Sequence, residues 1–242
     1  MGTSQAFDLS RFEVGDMLHC SKELKEVARE ATDMAQAAEA FVRYFRGAFL
    51  MPDSTAPACP LVRFYRTRDF GKLAADEQAF AGRLLDGAPS APTMKCLQLL
   101  ATAGDEPEWN SPAESHGHRA VPLPSVEMVR QAPMIAALIE QLGLELADVL
   151  TPSPVLLRAL EGKTYNVFHV EKARGSPFIP AQAGFVAPYG VRSVVGFGGL
   201  LASGDLFAVI LFSRLPVSRE SADLFRFLAL DVKGALFPFR RE

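Results

Sequence analysis

The 242-residue sequence predicts an α+β fold, a central antiparallel sheet flanked by N- and C-terminal helices. Three observations carry that expectation. Apolar residues recur every three or four positions from Ser21 to Phe49, which is helical spacing. The last third contains two apolar arms around Ser203-Gly204-Asp205, the pattern of a hairpin. A second helical period then begins after Ser218.

Each element follows from its local pattern. In the first helix Val27, Ala31, Met34, Ala38, Phe41, Phe45 and Phe49 share a stripe, Ser21 is the expected N-cap, and Pro52 marks the end. Residues Cys59 to Thr67 are short, rich in β-formers and bounded by proline and charge, so they read as a strand. A helix is expected over Ala74 to Leu85. A strand follows from Met94 to Ala103, with Cys96, Gln98 and Leu100 on one face and Leu97, Leu99 and Ala101 on the other.

Residues 104–124 hold Asp105, Glu106, Trp109, Glu114, His116, His118 and Arg119. Four prolines forbid a continuous helix there, so the segment reads as a chemically loaded loop. Ser125 caps a helix expected over Val126 to Leu142, kinked or split at Pro133 and closed by Gly143. Thr151 to Leu160 reads as a short turn or helix, Thr164 to Val170 as a strand, and residues 171–190 as an irregular connection. Val191 to Leu201 and Leu206 to Ser213 form the hairpin. Both faces of its second arm are apolar, which predicts a central strand covered on both sides. The last helix places Ala222, Phe225, Leu228, Ala229, Val232 and Leu236 on one stripe. No linker and no repeat divides the chain, so one domain over 1–242 is expected.

Composition narrows the function classes. A hydrophobic content of 49% with 18 Phe supports a large core, and a formal charge of -3 argues against a basic nucleic-acid-binding surface. The three cysteines are odd in number and show no C-x-x-C spacing, which fits a reducing cytoplasm rather than a disulfide framework. No leader-like apolar region opens the chain. The apolar run at Leu206 to Phe212 is too short for a membrane helix.

Three stretches resemble a GAF domain, the sensory fold related to PAS. CLQLLATAGDEPEWN at 96–110 is similar to the strand that enters the ligand loop. PYGVRSVVGFGGLLASGDLFAVILFSR at 188–214 is similar to the last hairpin, and PVSRESADLFRFLALDVKGAL at 216–236 to the final helix. The resemblance implies a small-molecule sensor of bacterial signal transduction, not an enzyme. Its terminal helices would pass a ligand-induced change to an output kinase, cyclase or regulator, in a homodimer. It names neither ligand nor cofactor. The segment 127–188 is longer than a compact member needs, and so is an insertion or an elaborated pocket wall. Arg119 is followed by VPLP instead of the Cys-His pair of bilin-carrying relatives, and the NKFDE-type cyclic-nucleotide signature is missing.

The candidate ligand-binding residues are Cys96, Trp109, His116, His118, Tyr165 and His169. His116 and His118, two apart on an extended segment, could chelate a divalent metal with a nearby carboxylate; a solvated polar loop is the plainer reading. His169 could face a pocket or bind haem, or be a half-buried residue bonded to a neighbour. The alternative function is therefore a metal- or haem-binding sensor or a metal-dependent enzyme using these histidines. Cys96 could be a redox or haem-ligating thiol, but a buried, inert thiol is the better reading. Gly196, Gly198 and Gly199 fit a bulge or a close backbone approach better than a phosphate loop. A second stripe on the last helix, Leu224, Phe227, Leu230 and Phe237, asks for a covering partner or an intramolecular neighbour, as do Phe41, Phe45 and Phe49.

Overall fold

The computed structural model describes residues 6–87, 89–153 and 165–239. Its centre is a six-stranded antiparallel sheet of order β3-β2-β1-β6-β5-β4. The strands are β1 (Leu61–Asp69), β2 (Lys95–Gly104), β3 (Ala120–Leu123), β4 (Phe168–Val170), β5 (Ser193–Leu200) and β6 (Leu206–Ser213). The expected hairpin is β5–β6, paired from Ser193↔Ser213 to Leu200↔Leu206. β6 lies between β5 and β1, so both of its edges are paired, and each of its faces is packed in a hydrophobic core. This is the α+β arrangement, a central antiparallel sheet flanked by helices, that the sequence predicts.

One face is packed by α1 (Val14–Val27), α2 (Met34–Ala48) and α8 (Phe225–Leu236). Here Phe207, Val209 and Leu211 of β6 meet the helical layer, and Phe45 lies 5.4 Å from Phe197 of β5. The other face carries Leu206, Ala208, Ile210 and Phe212 of β6. It is covered by α4 (Val126–Arg130), α5 (Pro133–Gln141), α6 (Leu146–Leu150) and the connection that precedes β5. The last helix begins as α7 (Arg219–Asp223), capped by the Ser218 hydroxyl, and resumes as α8 after Leu224. α3 (Ala75–Leu84) lies near β3, at the edge of the sheet.

Several expectations are corrected. The run from Ser21 to Phe49 is two helices, and Ser21 lies inside the first. Asp33 caps the second by accepting a bond from the Gln36 amide at 2.8 Å. The spacing of apolar residues continues across the break because Val27, Ala31 and Met34 all pack on the same core, so periodicity alone conceals it. Residues 104–124 are not all loop, since β3 pairs with β2 from Lys95↔Leu123 to Gln98↔Ala120. Pro122 is tolerated there because β3 is an edge strand. In β2, Ala101 pairs with Phe64 but Leu99 with Tyr65, so Leu100 is an extra, bulged residue. Beyond it the alternation slips by one. Thr102, opposite Arg63, joins the face of Leu97 and Leu99, and Ala101 and Ala103 face the helices. Finally, Phe41, Phe45 and Phe49 are fully buried inside the helix–sheet core and need no partner chain. The turn or helix expected over 151–160 lies mostly outside the described residues.

Gly198 explains part of the glycine-rich β5. A Cβ there would stand 2.0 Å from the Phe207 carbonyl oxygen, so the backbones of the hairpin approach too closely for any side chain.

Candidate functional site

Between the second face of the sheet and its covering segments lies a cavity of about 480 Å³, a size usual for small-molecule sites. β1 contributes Leu61, Arg63 and Tyr65 to the floor, alternate residues of one strand. β2 adds Leu97 and, through the bulge, Thr102; β6 adds Ile210 and Phe212. Walls come from α5 with Met134 and Leu138, from Ile179 and Phe185 ahead of β5, and from the loop carrying Glu108 to His118.

Trp109 closes one end. It sits on Gly104, where a Cβ would stand 2.8 Å from the Trp109 side chain. Its ring lies 4.5 Å from Tyr189 and 5.5 Å from Phe185, and Phe185 meets Phe212 edge-on at 4.9 Å. The Trp109 loop is fixed to the rest of the molecule by acids beside it. The Tyr189 hydroxyl donates to Glu106 at 2.9 Å. The Asp105 carboxylate joins Arg46 of α2, at 2.7 Å, to Arg214 at the end of β6. Arg214 also donates from Nε to the Tyr189 carbonyl at 3.1 Å. Cavity wall, helical layer and central strand thus meet at one carboxylate.

The polar end of the cavity holds Arg63, Tyr65, Thr102, Ser115 and His118. Arg63 donates from Nη1 to the Tyr65 hydroxyl at 3.2 Å, and its Nε has no partner. The hydroxyls of Thr102 and Ser115 are likewise buried without a partner. Burial raises the Tyr65 pKa, so its phenol keeps its proton. Burial, then the neighbouring Arg63 charge, pushes His118 down to about 4. Much of the His118 surface still opens to solvent while protein crowds the ring, and the direction of the shift leaves the imidazole neutral at pH 7.

Of the residues singled out from sequence, Trp109, His116 and His118 line this cavity. Cys96 does not: it lies beneath α3 with Phe80 and Ala81. Burial pushes its thiol up to about 12, as it does those of Cys20 and Cys59. Tyr165 packs over Gly199, and His169 is taken up by the fold, its amide donating to Gln141 at 2.9 Å and its Nε2 lying 2.9 Å from the Val217 carbonyl oxygen. Neither belongs to the cavity lining. Among the described residues no three His, Cys, Asp or Glu side chains are grouped to hold a metal ion.

At the polar end of the cavity, Arg63, Tyr65, Thr102 and Ser115 are not among the residues singled out from the sequence. Arg63 carries no signal that sets it apart from Arg66 and Arg68 on the same strand. Thr102 has none either, since strict alternation places it on the wrong face.

No protein-family model and no curated protein matches the sequence. Among solved structures, the free methionine-R-sulfoxide reductase of Neisseria meningitidis, solved with its substrate, aligns over 99% of this chain and 98% of its own, with a TM-score of 0.52 and 11% identity. The likeness is one of fold. A phytochrome photosensory core module of Stigmatella aurantiaca aligns over 96% of this chain and 38% of its own, with 12% identity and a TM-score of 0.40. The chromophore-binding domain of a bacteriophytochrome from the same organism aligns over 91% and 59%, with 12% identity and a TM-score of 0.39. No helix of the described residues is long and apolar enough to cross a membrane.

Proposed function

We propose that the chain is a single sensory domain that binds a small molecule in the cavity beneath Trp109 and relays its occupancy through the helical layer. The observation that supports this most is the connection of the cavity wall to α2 through Asp105 and Arg46. A ligand that binds one arrangement of the Trp109 loop better shifts the population toward it, and Asp105 carries the bias to α2 and the end of β6. The three cysteines lie outside the cavity with raised thiol pKa values, which supports a binding role over cysteine-based catalysis. The domain acts as a homodimer in bacterial signalling, with an output kinase, cyclase or regulator downstream. The adjacent helices α1 and α8 expose Val14, Leu18, Phe227 and Leu230, a surface for the second copy.

A metabolite screen by thermal shift tests the ligand reading, with Trp109, the sole tryptophan, as a fluorescent reporter. The expected result is a compound that raises the melting temperature and changes Trp109 emission together. Stabilisation without any Trp109 response would place the ligand elsewhere. A Soret band or stoichiometric metal in the purified protein would favour the histidine-based alternative.

A further inference from the structure

We propose that the cavity takes a small organic monocarboxylate, its carboxylate at Arg63 and its apolar body against Trp109, Leu138 and Ile210. This rests on the cavity being the ligand site.

The polar end is rich in donors and poor in acceptors. Arg63 Nε, the Thr102 hydroxyl and the Ser115 hydroxyl are buried and unpartnered. The Tyr65 hydroxyl accepts from Arg63 and retains its own proton to donate. Arg63 and Thr102 are cross-strand partners, which holds their side chains within reach of one bound group. Hydroxyls left unbonded in a protein interior are costly, and an entering acceptor satisfies several of them at once.

Charge points the same way. Arg43, Arg46, Arg119 and Arg214 each meet a carboxylate. Arg63 meets none within 4.0 Å among the described residues, although it faces a largely apolar cavity. Water could fill the donor sites but would not neutralise the guanidinium. A planar carboxylate does both, because it accepts two bonds from the guanidinium fork and has lone pairs left for the hydroxyls. A phosphate dianion fits less well. One guanidinium is the cation of this end, His118 is neutral, and Glu108 and Glu114 stand on the cavity wall. Most of the rest of the lining, including Leu61, Leu97 and Phe212, offers an aliphatic or aromatic body apolar contact.

The test uses the full chain and matched probes: hexanoate, phenylacetate, 3-phenylpropionate and indole-3-acetate, each against its primary amide, with phenyl phosphate as the dianion. Calorimetry and Trp109 fluorescence report binding. At least one acid is expected to bind about tenfold or more tightly than its amide. Arg63→Met is expected to abolish that advantage, and Thr102→Val to weaken the acid about fivefold, with the amide unaffected in both. If Arg63→Met does not fold, Thr102→Val and Ser115→Ala carry the same comparison. Equal binding of acid and amide overturns the carboxylate assignment and leaves the ligand cavity standing. Tighter binding of phenyl phosphate overturns the monoanion. Acid binding that survives these substitutions places the anion elsewhere. No response to any probe at millimolar concentration, by either readout, overturns the inference and the reading of the cavity together.

Discussion

Thr102→Val separates a binding group from a structural one. The Thr102 residue is 6% exposed and its hydroxyl has no partner, so the folded state carries an uncompensated desolvation cost. Such a group costs about 1–3 kcal/mol. Valine has nearly the same shape, leaves no cavity and suits a strand, so no packing loss offsets the gain. Taking the low end, because the neighbouring cavity admits water, the variant is expected to be more stable by about 1 kcal/mol. For a chain of this size that raises the melting temperature by about 2–4 °C. Urea unfolding followed by circular dichroism measures it. A variant less stable than wild type by about 1 kcal/mol or more would show that water already satisfies the hydroxyl, and the donor-rich end of the cavity would lose its significance.

Other substitutions probe the frame around the site. Gly198→Ala drives a methyl into the Phe207 carbonyl, 2.0 Å away, and is expected to cost about 3 kcal/mol or more, read as a large fall in the urea midpoint. Phe227 is 39% exposed on α8, so Phe227→Glu is expected to leave the domain folded and to shift a dimer toward monomer in light scattering. A monomeric wild type would remove the proposed interface. His118 has a folded pKa near 4, below the reference 6.5, so the unfolded chain binds its proton first as pH falls. Its contribution to stability is present above pH 6.5 and lost between 6.5 and about 4, and His118→Gln should flatten that part of the stability–pH profile.

The sheet was legible because its signals are local. β1, the first part of β2 and the β5–β6 hairpin each announce themselves by period-two apolar residues between turn-forming ends. The two-faced β6 even reveals its central place. What escaped depends on partners distant in sequence. The segment CPLVRFYRT contains two inward arginines on opposite faces, identical in kind. Arg66 finds Gln98 at 3.0 Å and the Met34 sulfur at 3.0 Å, whereas Arg63 is left facing the cavity. No property of the nine residues distinguishes them. Trp109, His116 and His118 lie on a chemically rich loop that lines the cavity, whereas Cys96 and His169 show that residue type alone does not bring a side chain to it.

The bulge at Leu100 has a consequence for how such a protein acquires new specificity. A strand normally offers a cavity only every second residue, and an inserted residue exchanges the two sets beyond it. Were Leu100 instead paired with Phe64, with no bulge, Ala101 would lie opposite Arg63 and Ala103 opposite Leu61 on the cavity face, and Thr102 would turn toward the helices, changing the chemistry of the binding surface without altering any residue. The position of a bulge, at constant sequence on either side, is thus a route to a different ligand. Two chains identical in this strand, one bulged at Leu100 and one paired regularly, would offer a ligand different side chains beyond that point.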